Sequence, residues 1–400
     1  MSTSEIHADD RAAFEQAIKA VPVWDRIESA ASAYGLAGNI LLHAGPAFKS
    51  IDLISRPIMN SACVAAVYEG IATDFDQAQA MIQAGEIELN PAQDFSTVTP
   101  LAAVVSASMP LHRVVDASHP GIKIYAPING GGRPAMRLGL RADAVLEHIR
   151  WLNTEFSDLL GRGLIQPIEM LPIAVEGLRH GDDCHGRTPH ATEVLMAQVG
   201  QAISGGIDDV NIQEFVSASP SLFLNLWMAS SKCIMMRASG IENSSFVTAA
   251  GGNGVETGIQ ISALPGRWFS AAATAPAGRF DVDLPPARAL PAIGDSAVVE
   301  GLGLGAMAIR HAPEQEKNLG DFLPDDYRER GRHLLAGIHP EFNELECRIG
   351  LLARAAIVRQ QGPIIGLGIL DIEGEQGRLG GGIYDMPVTV FEAAITALET

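Results

Sequence analysis

Apolar residues recur at helical spacing over residues 11–20 and 23–34, and the pattern predicts two helices there. Gly35 and Gly38 break the period ahead of Ile40-Leu41-Leu42, which predicts a strand. A helix is predicted over 74–84, with Thr73 or Asp74 capping its start, alanines and Ile82 on one face and Gly85 ending it. From 85 to 140 the texture turns to short β-rich runs, notably 98–105 and 122–128, separated by Pro and Gly. Over 141–160 the side chains of Val145, Leu146, Ile149, Leu152, Phe156 and Leu159 fall on one side of a helix.

Residues 188–242 read as mostly helical, with Thr188 as N-cap and Pro189 at the first helical position. Beyond them, 244–262 and 268–282 read as strands, and 294–309 and 362–384 as glycine-rich turns around apolar strands. The acidic stretch 313–330 reads as a surface connection. The expected architecture is a mixed α+β fold of several domains: an N-terminal α/β domain over 1–180, a small helical subdomain over 181–242 and a C-terminal α/β domain over 243–400.

Length supports more than one domain, because 400 residues exceed the roughly 250–300 at which single cores stop growing. With 47% hydrophobic, 19% charged and 6% aromatic residues and 41 glycines, the chain suits tight packing of small side chains and many sharp turns rather than disorder. A formal charge of −19 argues against nucleic acid and anionic membranes as partners, since both need clustered cations. It does not exclude a small anion held by a local arginine. Cys63, Cys184, Cys233 and Cys347 lie far apart, with no CxxC pair to suggest structural zinc, and reduced thiols are expected. The polar start MSTSEIHADDRAAFEQAIKA and the lack of a long apolar run lead to an expected cytoplasmic location.

Four clusters carry candidate chemistry. In Asn129-Gly130-Gly131-Gly132-Arg133, successive glycine amides can converge on an anion that Arg133 or Arg137 grips; a plain turn is the competing reading, and the GK[ST] ending of a Walker loop is missing. His180-Gly181-Asp182-Asp183-Cys184-His185 concentrates imidazole, carboxylate and thiol, the material of acid–base catalysis. Helix capping by Asp182 or Asp183 competes with that reading, and the His spacing is not that of a helical zinc pair, so no metal is expected. Ser244 and Ser245, with Asn253, Gly254 and Glu256 further on, offer hydroxyls, an amide and a possible base around a glycine run, or simply a bulged hairpin; no GxSxG elbow is present. Asp295 and Ser296 precede Glu300-Gly301-Leu302-Gly303-Leu304-Gly305, whose spacing lacks a dinucleotide-binding context, so no cofactor is expected. His43, in His43-Ala44-Gly45-Pro46 after an apolar run, is either a base or a backbone-bonded imidazole.

Taken in order, LLHAGP at 41–46, SASMP at 106–110, ING at 128–130, RLGLRADAVLEHIRWL from 137, HGDDCHGR from 180 and LFLNLWMASSK from 222 resemble one bacterial family. So do NSSFVTAAGGNG from 243, IGDSAVVEGLGLGAMA from 293 and GRLGGGI from 377. The family includes a subunit of oxamate carbamoyltransferase from anaerobic allantoin breakdown. The chain departs from the family pattern at Pro91-Ala92-Gln93-Asp94-Phe95, where relatives carry a Cys- and His-rich turn, and at Gly132-Arg133, where they often carry lysine. The resemblance implies a mixed α/β architecture with a helical domain, a homo-oligomer and assembly with further subunits.

It also implies carbamoyl transfer between a ureido-type acid, of the oxalurate or oxamate kind, and phosphate. Hydrolysis of a related amide, cyclic imide or ureido compound is the alternative, and a noncatalytic subunit is the third reading. In the first, His185 is the general acid or base, oriented by Asp182 or Asp183. Arg133, Arg137 and the turn at Asn253 and Gly254 hold the anion and the developing oxyanion. In the second, His185 or Glu256 activates water.

Overall fold

The computed structural model describes residues 6–132, 134–203 and 206–400. At its centre runs the helix Leu222–Arg237, apolar on nearly every face and buried from Leu222 to Met235. A helix apolar all round must be enclosed, and this one packs against two sheets. The first is antiparallel, in the order Lys123–Pro127, Pro110–Asp116, Pro22–Ser29, Ile168–Glu169. The second, also antiparallel, runs Ile293–Gly294, Val247–Asn253, Glu256–Ile261, Phe269–Ala272. A third sheet pairs Ala277–Phe280, Arg378–Asp385 and Ile364–Leu370. Two small ladders complete the set, Leu335–Ile338 with Arg348–Leu351 and a parallel pair of Ile40–His43 with Glu88–Pro91. Helices and several separate antiparallel sheets together make this a mixed α+β fold.

The helix expected over 23–34 is a strand, Pro22–Ser29, followed by one helical turn, Ala30–Tyr34. Periodicity there is overridden by pairing on both edges, to Pro110–Asp116 and to Ile168–Glu169, with a bulge between Trp24 and Arg26. The run 98–105 forms no strand: it turns at Leu101 and Ala102 and has an isolated bridge of Val105 to Leu42; the Thr99 amide is spent on the Asp295 carboxylate. Residues 294–309 coil into helical turns, not strands: Val298–Leu302 buries Val298, Val299 and Leu302 and stops at Gly303, whose φ is 130°. The acidic stretch expected as a connection forms the helices Pro313–Leu319 and Tyr327–Leu334.

Helix Phe75–Gln83 starts under its Asp74 cap, which accepts from the amides of Asp76 and Gln77, and Gly85 beyond it has a φ of 74°. The helical run 141–160 continues through Asp143–Trp151, a wider turn at Leu152–Phe156 and Ser157–Gly163. Between 188 and 242 lie Pro189–Ala202, Val210–Ser217 and the central helix. The largest apolar cluster draws on all three of the sequence segments proposed as domains, from Ala13 and Trp24 through Trp227 to Phe391. A second cluster collects residues 41–149 with Leu290, Ile293 and Leu370. Among the described residues no helix is long and apolar enough to cross a membrane.

Candidate active site

The turn after helix Met170–Arg179 carries two aspartates with different duties. Asp182 Oδ2 accepts from the Ala191 amide at 2.9 Å and so caps helix Pro189–Ala202. Asp183 Oδ1 accepts from the amides of His185 and Arg187 at 2.8 and 2.9 Å, which closes the turn. Burial pushes the Asp183 carboxyl up to about 6 despite those bonds. Neither reaches the His185 ring. Its partner is Glu300, fully buried on Val298–Leu302, whose two oxygens lie 2.7 and 2.8 Å from Nδ1. Glu300 Oε1 also accepts from the amides of Ala306 and Gly366, at 3.0 and 3.2 Å. Burial alone would pull the imidazole down; the charge and hydrogen bond of Glu300, with Asp183 behind, outweigh it and hold His185 above its ordinary value. Gly305 makes the pairing possible, because its φ is 61° and an added Cβ would collide with Glu300 Oε1 and His185 Cβ.

His185 opens onto a cavity of about 200 Å³ that Asn129, Arg137, Asn225, Ser296 and Arg378 also line. Strands Ile364–Leu370 and Arg378–Asp385 form one wall through glycines 366, 368, 381 and 382. Arg137 is fixed by carbonyls, not carboxylates: it donates to Gly130 O at 2.9 Å, to Gly131 O and to Asn129 Oδ1 at 3.2 Å. Burial and the neighbouring Arg378 guanidinium lower it to about 10. Among the described residues no carboxylate lies within 4.0 Å of Arg137, while Arg378 pairs with Asp281 at 2.7 Å. Two cations on one small cavity, one of them uncompensated, suit an anionic ligand. Leu101, which lines the same cavity, and Cys184, beside His185, are non-glycine residues with φ of 48° and 65°. Each such residue costs on the order of 1–3 kcal/mol, and such strain gathers at functional sites.

The glycine loop acts differently from the expected amide cradle. Its carbonyls turn to Arg137, the Gly131 amide donates to Ser219 Oγ at 2.6 Å and Gly132 is exposed. Arg133 lies outside the described residues. Of the residues singled out from sequence, His185, Asn129, Arg137 and Ser296 meet at this cavity. The other described ones line no part of it. Asn253 accepts from the amides of Val255 and Glu256 and donates to Pro46 O, which shapes the turn at Gly254. Glu256 pairs with Lys49 at 2.5 Å. Ser244 and Ser245 bond to the buried Asp10, which also meets Arg354. His43 bonds to Ala44 O, and burial lowers it to about 4.

Asp295 is a structural hub. Its oxygens accept from the Gly45 amide at 2.9 Å, Gln93 Nε2 at 2.7 Å and the Thr99 amide at 3.0 Å, and burial raises it to about 6. The buried Lys232 ammonium donates to Thr248 O at 2.8 Å and is lowered to about 8 by burial, with Asp295 and Asp94 opposing. Among the described residues, donor atoms of Glu176, His180 and His190 group within 4.8 Å of one another, away from the cavity. The imidazoles of His180 and His190 stack with their centroids 4.0 Å apart.

Glu300, Asn225 and Arg378 were passed over as site residues in the sequence. Glu300 carried one signal, a lone carboxylate in the otherwise apolar run 297–309, which must find a partner if that run is buried.

The crystal structure of a conserved protein of unknown function from Enterococcus faecalis V583 has the same fold, with a TM-score of 0.92 at 22% identity over 98% of this chain and 97% of that one. "Uncharacterized protein YahG" of Escherichia coli K12 is 29% identical, over 98% of this chain and 85% of its own length. "Oxamate carbamoyltransferase subunit AllG" of the same organism is 31% identical, over 100% of this chain and 98% of its own. The family model for oxamate carbamoyltransferase subunit AllG matches residues 87–296, the stretch that supplies Asn129, Arg137, His185, Asn225 and Ser296. On both grounds the chain belongs to the family of oxamate carbamoyltransferase subunit AllG.

Proposed function

We propose that this chain is a subunit of a carbamoyltransferase complex and that its His185 cavity takes a small ureido acid of the oxalurate type together with phosphate. The observation that carries the reading is the conjunction in one small cavity of a glutamate-backed imidazole with Arg137 and Arg378. A space of about 200 Å³ is too small for a nucleotide and suits a short acid. Arg137 pairs with the substrate carboxylate, and Arg378, drawn off Asp281, receives phosphate. Asn129 donates to the carbamoyl oxygen from the amide nitrogen that Arg137 leaves free.

A phosphate oxygen attacks the carbamoyl carbon, and the carbon–nitrogen bond to the oxamate nitrogen breaks. The proton given up by phosphate goes to that leaving nitrogen. His185 Nε2 relays it, since Nδ1 is held by Glu300. The products are carbamoyl phosphate and oxamate, and no redox partner is required.

The test is to assemble the purified chain with its partner subunits, supply oxalurate and phosphate, and assay carbamoyl phosphate. Replacing His185 by Ala should lower kcat by on the order of a hundredfold or more, and Arg137→Gln should chiefly raise KM for oxalurate. Phosphate-independent release of ammonia would replace transfer by hydrolysis. Full activity of a complex assembled with His185→Ala would make the chain a noncatalytic subunit.

A further inference from the structure

Gly303 and residues 307–309 line a second, larger cavity of about 340 Å³, and its wall carries Arg310, Arg328, Arg332 and Arg348. The two cavities share no lining residue. In a chain with a formal charge of −19, four guanidiniums around one concavity are against the trend of the whole surface.

Two of the four have their charge left over. Arg348 donates to Leu335 O at 3.1 Å and to Ala336 O at 2.9 Å, and Arg310 donates to Leu345 O at 3.0 Å and Glu346 O at 2.9 Å. Among the described residues neither has a carboxylate within 4.0 Å. Carbonyls fix a guanidinium without cancelling it, so both are oriented in advance for an incoming anion. Arg328 and Arg332 are exposed, as is Arg310, and lean on the half-buried Glu316 at 2.8 Å and the exposed Glu329 at 3.2 Å; the Arg332–Glu329 contact is a surface pair that an anion can displace at little cost. Glu329 and Glu346 are the acidic side chains that also line the cavity. Burial, and then Arg332 close by, pull Arg348 below its ordinary value, the sign of a cation crowded by another cation.

We propose that this cavity is a second anion site, built for a multiply charged phosphate-type oxyanion of the size of pyrophosphate. A monocarboxylate would leave most of the positive charge unmet, and the overall negative field works against a long polyanion. The site stands independently of any reading of the His185 cavity.

The test is calorimetric titration of the full chain with inorganic pyrophosphate at low and at physiological ionic strength. An Arg137→Gln/Arg378→Gln background removes both cations of the His185 cavity and with them its competition for the anion. One binding event should persist in that background. Arg348→Gln should weaken it tenfold or more, and Arg332→Glu several-fold. Because Arg332 is exposed, its replacement leaves the fold intact even if Arg348→Gln does not. Absence of pyrophosphate binding at millimolar concentration in the Arg137→Gln/Arg378→Gln protein would overturn the proposal. So would binding whose affinity is unchanged by Arg332→Glu and Arg348→Gln alike.

Discussion

His185 owes its character to a residue 115 positions away. With Glu300 changed to Gln, burial is no longer opposed by a carboxylate, and an NMR titration of His185 should move to lower pH. The same pair sets a pH dependence of stability. A histidine whose folded-state value is raised contributes fully below its unfolded value of ~6.5 and loses that contribution as pH rises through the higher folded value. Urea midpoints measured from pH 5 to 9 should therefore show a wild-type advantage over Glu300→Gln that shrinks toward the alkaline end. At this scale the sequence was partly legible. His185, Arg137 and Asn129 stood out as chemistry-bearing residues, but a partner for His185 was sought in Asp182 and Asp183. Side chains that close to a tight turn bond to its amides, and both do so.

At the scale of elements, the capping duty of Asp182 gives a separable prediction. Asp182→Ala should cost about 1–2 kcal/mol of stability through the start of helix Pro189–Ala202, while activity per folded molecule stays near wild type. Thermal melts alongside turnover in the assembled complex measure both. Asp295 ties the loop at Gly45, the Gln93 amide and the Thr99 amide to the turn before Val298–Leu302. Asp295→Ala leaves the buried Gly45 and Thr99 amides unpaired and should cost about 3 kcal/mol or more in chemical denaturation. The elements bounded by capping and glycine signals, Phe75–Gln83 above all, were readable from sequence because their signals are local. Pro22–Ser29 was not, because its pairing partners lie far along the chain.

At the scale of the whole molecule, the N-terminal helix Ala8–Ala17 is locked to the far end of the chain through Asp10, which meets Ser244, Ser245 and Arg354. Asp10→Ala should destabilise the protein by about 3 kcal/mol or more, since it removes the buried carboxylate on which Ser244, Ser245 and Arg354 converge. It should do so without altering ligand affinity at the His185 cavity, which Asp10 does not line. Urea unfolding and ligand titration on the same variant check both statements.

The amino-acid sequence by itself determined the mixed class of the fold, the helix and turn boundaries set by local signals such as Asp74 and Gly85, and membership in a family through an ordered set of motifs. These follow from composition and from interactions within a few residues. Only the tertiary structure decided that His185 faces Glu300, that the glycine loop offers its carbonyls to Arg137, and that, among the described residues, no carboxylate lies within 4.0 Å of Arg310 or Arg348. Burial and charge pairing are properties of what surrounds a residue in space, and at His185 and Asp295 the surrounding groups come from segments more than a hundred positions away.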